Sequence, residues 1–213
     1  MEADARFIAE HTEVATAPLV PEIRLHLATE ITPIWQASED WVAQHDMEPP
    51  FWAFAWPGGQ AIARHVLDHP ALVAGRRVLD FAAGGGIAAI ACVMAGAASV
   101  EAAEIDRLAL AAIRANATIN QVNVGALALD VVDGPVRWDL ILCGDVCYEA
   151  PMTRHILPWL QHCARTAEVL VADPGRAYLP TRGLSEIARY EVPTSLELED
   201  RTMRTTTLYS LLA

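Results

Sequence analysis

The chain contains no lysine: all fifteen basic residues are arginine, set against 27 acids, for a net charge of -12. A nucleic-acid groove needs clustered positive charge, so that class of partner is excluded. The acidic balance favours cationic partners through its long-range field, besides serving solubility. No stretch reads as a membrane-spanning helix, which takes roughly 18 to 20 consecutive apolar residues, and no membrane association is expected. Cysteine is scarce and unpaired in spacing: Cys92, Cys143, Cys147 and Cys163 sit in apolar surroundings without a C-x-x-C motif. They read as reduced core thiols, so neither a disulfide nor a metal site is expected. The opening residues MEADAR carry two acids before the first arginine and suit neither a secretory signal nor an arginine-rich transit peptide. A cytoplasmic address is the expectation.

What is present is alternation. From about residue 58, strand-like runs RRVLDFA, SVEAAEI, ALALDVV, WDLILCG and AEVLVAD alternate with helical segments near 59–69, 86–96, 106–120 and 150–165. Such alternation signals a doubly wound α/β fold built on a mostly parallel sheet. The tail runs IARYEVP and TMRTTTLYSLL, rich in β-branched and aromatic residues, predict an antiparallel hairpin that brings the sheet to seven strands, with LELED as its turn. Ahead of the core, PEIRLHLATEITPIW suggests a short strand pair, and PPFWAFAWPGG a tryptophan-rich loop feeding a helix near Gly58. Length suits a single domain. Residues 1–57 are read as a strand and lid extension and 58–213 as the core.

In an open α/β sheet, ligands bind beyond the carboxyl ends of the strands. At the end of the first core strand stand Asp80 and the turn Ala82-Ala83-Gly84-Gly85-Gly86. A pyrophosphate fingerprint wants glycine at its first, third and sixth positions, and the sixth here is Ile87, which disfavours a dinucleotide oxidoreductase. The acid and five-residue turn instead resemble the G-x-G-x-G motif of S-adenosylmethionine-dependent methyltransferases with a seven-stranded sheet. That resemblance implies that Asp80, Ala82, Gly84 and Gly86 surround the cofactor's amino-acid portion. Ala82 departs from the motif's first glycine, and its methyl is tolerable with φ negative or with a looser contact. Glu104, eighteen residues after Gly86, is placed to accept ribose hydroxyls. Asp106 reads as the cap of the next helix. Asp130, at the end of the third core strand, would lie beside the adenine amino group.

Methyl transfer from a sulfonium is an in-line displacement that asks the protein to position a nucleophile, arrange its deprotonation and exclude water. The fourth core strand, WDLILCGDVCYE, ends in Asp145 and Tyr148 as a D-x-x-Y element at the binding edge. This element, with Trp52, Trp56-Pro57-Gly58-Gly59 and Asp173-Pro174-Gly175-Arg176, resembles the protein-lysine methyltransferases that modify electron-transfer flavoprotein β subunit. The match runs from Pro50 to about Pro180. It implies S-adenosylmethionine as cofactor without a metal, and a lysine-bearing protein as partner. Trp56 then closes over the cofactor. Asp145 positions the acceptor and relays its proton, Tyr148 shapes the acceptor site, and Trp52 and Arg176 contribute to substrate binding. Acceptors on another protein, such as a ribosomal one, or on a small amine stay open, as does a non-catalytic binding module, which the retained acids disfavour. His155 and His162 lie two turns apart, about 10.5 Å of rise, too far to share a metal, and read as a polar helix face.

Overall fold

The computed structural model describes residues 2–28, 50–195 and 199–213. Helix α1 (Glu2–His11) leads into an antiparallel pair, β1 (Glu13–Ala17) and β2 (Val20–Leu27), which stands apart from the main sheet. A 3-10 turn at Phe51–Ala53 precedes α2 (Pro57–Asp68). Then follow β3 (Arg77–Phe81), α3 (Ile87–Met94), β4 (Ser99–Glu104), α4 (Arg107–Ile119), β5 (Gly125–Ala128), β6 (Leu140–Gly144), α5 (Ala150–Cys163) and β7 (Glu168–Asp173), with β8 (Leu184–Pro193) and β9 (Met203–Leu211) closing the chain.

The main sheet has seven strands in the order β5-β4-β3-β6-β7-β9-β8, parallel from β5 to β7 and antiparallel through β9 and β8. Strand order reverses between β3 and β6, and in such sheets the crevice at that reversal is where ligands bind. Alternate residues of the central strands face opposite layers, as period-two geometry requires. Val78, Leu140, Leu142 and Leu170 pack with Ile62, Val66 and Ile90 of α2 and α3, while Leu79, Ile141 and Val169 pack with Ile156, Trp159 and Leu160 of α5. Burial on both faces explains why β6 reads as an unbroken apolar run and why Asp80 is the one acid within β3.

The expected helices and core strands are present, and the anticipated hairpin is β8 with β9. Two expectations need correction. The strand pair expected within Pro21–Trp35 is composed differently: β2 fills its first part and pairs upstream with β1, while residues 29–35 lie outside the described residues. The sequence EVATA of β1 has no apolar alternation to announce it, and α1 has too few apolar residues to stand out. The third core strand stops at Ala128, so Asp130 lies on the following turn. Of the acidic turn LELED, residues 196–198 lie outside the described residues. All four cysteines are buried and free, and burial pushes the thiols of Cys147 and Cys163 up to about 12 and about 11. No helix among the described residues is long and apolar enough to cross a membrane.

Helix α2 meets the ends of β6 and β7 almost backbone to backbone. A Cβ on Gly58 would stand 2.5 Å from the Ala172 carbonyl oxygen and 2.5 Å from Asp145 Oδ2, and one on Gly144 would stand 2.8 Å from the Gly59 nitrogen. Gly58→Ala is therefore expected to cost about 3 kcal/mol through overpacking, on the order of 10 °C in Tm for a domain this size. Gly59→Ala, whose Cβ would meet only the tip of Ile87 at 3.1 Å, is the matched control. Thermal melts of equal midpoint for the two variants would contradict the close approach.

Candidate active site

A cavity of about 670 Å³ opens at the carboxyl ends of β3, β4 and β6, bounded also by the 3-10 turn, the turn after β5 and the first turns of α5. Its size falls in the range of small-ligand sites. Of the residues singled out from sequence, Trp52, Trp56, Ala82, Gly84, Glu104, Asp130, Asp145, Tyr148 and Arg176 line it; Asp80 and Gly86 do not.

The turn from β3 into α3 carries positive φ at Ala82 (51°), Gly84 (52°) and Gly86 (78°). The negative φ that would have eased an alanine at the first position is thus absent, and the Ala82 methyl is held in left-handed backbone at about 1 to 2 kcal/mol. Gly85 lies under the tryptophan segment, where a Cβ would come 2.9 Å from the Trp52 carbonyl oxygen. Asp80 sits behind the turn, 4% exposed, and its Oδ2 accepts from the Ala89 N–H at 2.9 Å. Gly86, the residue before α3, offers no side-chain cap, so Asp80 supplies one from the preceding strand. Burial pushes this carboxyl up to about 8, helped by the neighbouring Glu104. The helix N-terminus where dinucleotide enzymes seat a pyrophosphate is filled here by the protein's own acid.

Glu104 closes β4. Its Oε2 accepts from the Gly84 N–H at 3.0 Å and its Oε1 from Ile105 and Asp106 at 2.8 and 3.3 Å, while burial pushes its pKa above the ordinary carboxylate value. Asp106 caps α4 through the Leu108 N–H at 2.8 Å, as expected. Asp130 accepts from Val132 N–H at 3.0 Å, and its other oxygen meets His155 Nε2 at 2.8 Å. His155, read from sequence as part of a polar helix face, faces the cavity with Pro151, Met152 and Ile156. Their spacing along one side of α5 was the signal available for finding them.

At the other end, Asp145 follows β6 with φ of 56° and is 8% exposed. Its backbone N–H donates to the Ala172 carbonyl at 3.0 Å. Oδ2 accepts from the Gly58 N–H at the start of α2, a helix whose preceding residue, Trp56, gives no side-chain cap. Oδ1 accepts twice from Arg176, from Nη2 at 2.7 Å and Nε at 3.1 Å. Burial raises this carboxyl to about 6, and the Arg176 guanidinium opposes the rise. Three rings line the same cavity, one of them, Trp56, beside the Arg176 guanidinium: Phe51 lies 5.6 Å from Tyr148 and 5.9 Å from Trp56, whose Nε1 donates to the Phe51 carbonyl at 2.8 Å. Trp52 is elsewhere, 2% exposed and packed with Ile8, Ala109 and Ala112 beside the glycine turn. Phe51 was not anticipated, since an aromatic in a loop carries no periodicity. Among the described residues, no group of three or more His, Cys, Asp or Glu side chains could hold a metal ion.

A doubly wound sheet with an antiparallel closing pair, and a carboxylate-lined cavity with a glycine turn at the strand ends, define a Rossmann-like methyltransferase. The family model for "Ribosomal protein L11 methyltransferase (PrmA)" matches residues 65–144. The solved structure of magnesium protoporphyrin IX methyltransferase from Synechocystis, with bound S-adenosylmethionine, shares the fold at a TM-score of 0.54 and 14% identity, covering 86% of this chain and all of that one. The electron transfer flavoprotein β subunit lysine methyltransferase of Xenopus laevis is 38% identical over 212 residues, covering 96% of this chain and 85% of the relative. The Homo sapiens protein of the same name is 34% identical, covering 95% and 80%. The chain belongs to the electron transfer flavoprotein β subunit lysine methyltransferase family and is a methyltransferase.

Asp80 makes stability depend on pH. Because burial lifts its folded pKa above that of the unfolded chain, its protonated form favours the fold at low pH, and this contribution is lost as pH rises from about 4 toward about 8. The neutral isostere Asp80→Asn removes that loss. Its Tm, measured without ligand, should exceed the wild type by an amount that grows across this pH window; a constant difference would contradict the assignment.

Proposed function

We propose that this chain transfers methyl groups from S-adenosylmethionine to lysine ε-amines of electron transfer flavoprotein β subunit. The observation that carries the reading is the cavity's two unlike ends: one bounded by Glu104, Asp130 and the glycine turn, the other by Asp145 with Phe51, Trp56 and Tyr148.

The first end fits a nucleoside that lacks phosphate. Arg176 is the one lysine or arginine among the described lining residues, and it is already committed to carboxylates. Glu104 Oε2, which among the described residues accepts only from Gly84, keeps a lone pair for a ribose hydroxyl. Asp130 with His155 offers acceptor and donor to an adenine edge, and Ala82 and Gly84 leave room for close approach to the backbone. Asp80 and Gly86 shape the turn from behind. The bound cofactor supplies a methyl group on a positively charged sulfur.

The second end must take a lysine, mostly ammonium at neutral pH with a pKa near ~10.4, and present it as a neutral amine with a lone pair. The aromatic walls desolvate the nitrogen, which favours the neutral form. Asp145 accepts an N–H hydrogen bond, fixes the lone pair's direction and is the local group able to take the proton. Tyr148 and Trp56 exclude water from the line of attack. The family-model match ends at Gly144, just before Asp145, so its likeness concerns the cofactor half of the site.

The test combines the enzyme, a labelled methyl donor and electron transfer flavoprotein within a cell lysate, followed by peptide mass spectrometry. Methyllysine on the β subunit is the expected outcome, and since this chain has no lysine that methyllysine cannot be its own. Label confined to ribosomal proteins or to free amines would refute the proposed acceptor. Asp145→Asn, which replaces the carboxylate with an amide of the same shape and a residue tolerant of left-handed backbone, should lower turnover by about 100-fold or more while S-adenosylhomocysteine still raises the Tm and NAD does not. Undiminished turnover would remove Asp145 from the chemistry.

A further inference from the structure

We propose that Arg176 occupies the seat of the acceptor's ammonium group, and that binding of the acceptor transfers Arg176 from Asp145 to Glu199. The inference rests on the lysine reading above.

A cation in this end of the cavity has two attractive partners, the Asp145 carboxylate and the faces of the surrounding rings. Arg176 has both: Nη2 is 2.7 Å from Asp145 Oδ1, and the guanidinium carbon lies 5.7 Å from the centre of the Trp56 ring. The guanidinium therefore presents the same pattern of charge and hydrogen bonds that a lysine ammonium would. With Asp145 Oδ2 taken by Gly58, Oδ1 is the oxygen a newcomer must share or win.

Glu199 makes the exchange feasible. Its side chain is 3% exposed, and its Oε1 already accepts from Arg176 Nη2 at 2.6 Å, so one nitrogen serves both acids. Arg176 Nη1 reaches Glu199 Oε2 at 3.3 Å, and Arg204 holds the same oxygen at 2.8 Å. Leaving Asp145 costs the guanidinium one carboxylate, not its only one. The Arg176 backbone stays anchored meanwhile, its N–H donating to Asp173 Oδ1 at 2.6 Å. Glu199 is thus a positioning residue: it touches neither ligand and acts through Arg176.

Glu199→Gln weakens the receiving site and leaves Arg176 on Asp145. The expected result is a KM for the acceptor protein raised about tenfold, the scale of one charge-assisted hydrogen bond, with kcat and the affinity for S-adenosylhomocysteine little changed. A fall in kcat at unchanged KM, or no change in either, overturns the proposal. Should that variant not fold, Arg176→Ala gives an independent answer with methylguanidinium as probe. Filling the vacated seat, methylguanidinium should inhibit that variant competitively against the acceptor; rescue of activity, or no effect, overturns the exchange. If the wild-type enzyme labels no lysine on any acceptor, it is the lysine reading that fails, separately from these outcomes.

Discussion

The site depends on one close approach, that of the start of α2 to the ends of β6 and β7. Two glycines, Gly58 and Gly144, remove the side chains that would keep these backbones apart. Once they meet, the Asp145 carboxylate can cap α2 through Gly58 while remaining on the cavity wall. An acid buried this way is costly unless it is hydrogen-bonded and paired, and Arg176 supplies the pairing from the loop after β7. Helix, strand end and loop are thereby tied to a single carboxylate. The same contact sets Trp56, the residue before α2, over the cavity.

The opposite end repeats the device in a different form. Asp80 caps α3 from behind the glycine turn, and Glu104 gathers the backbone donors of Gly84, Ile105 and Asp106. Acids thus fill positions at which phosphate-binding folds leave backbone N–H groups open for a ligand. Three helix N-termini at this edge of the sheet are thereby satisfied from within the protein, α3 by Asp80, α4 by Asp106 and α2 by Asp145. A cavity lined by several carboxylates, whose one arginine among the described residues is already paired, suits a cationic ligand.

Much of this was legible in the sequence because the informative residues lie where chain direction fixes geometry. Asp80, Glu104 and Asp145 each stand at or just beyond a strand end, so the alternation that revealed the strands also placed the acids. Trp-Pro-Gly-Gly was legible as the entry to a helix, but the reason for its first glycine was not, since nothing local shows that Ala172 and Asp145 press against it. Trp52 and Phe51 exchanged prominence because adjacent loop residues point in different directions that no periodicity encodes. The Asp130–His155 contact and the Arg176–Glu199 bridge join residues 25 and 23 positions apart, and pairings of that kind arise from packing alone. The positive φ of Ala82 shows the limit from the other side: the residue type argued for ordinary backbone, and the turn's packing prevailed.

The most direct test of the central claim, that Asp145 is the acid of the acceptor end, is a crystal structure of the enzyme with S-adenosylhomocysteine and a lysine-bearing segment of its acceptor. The expected result puts the lysine nitrogen among Phe51, Trp56 and Tyr148, within about 3 Å of an Asp145 oxygen, and in line with the cofactor sulfur. A lysine that reaches the sulfur by another path, with Asp145 still engaged only by Gly58 and Arg176, would contradict it.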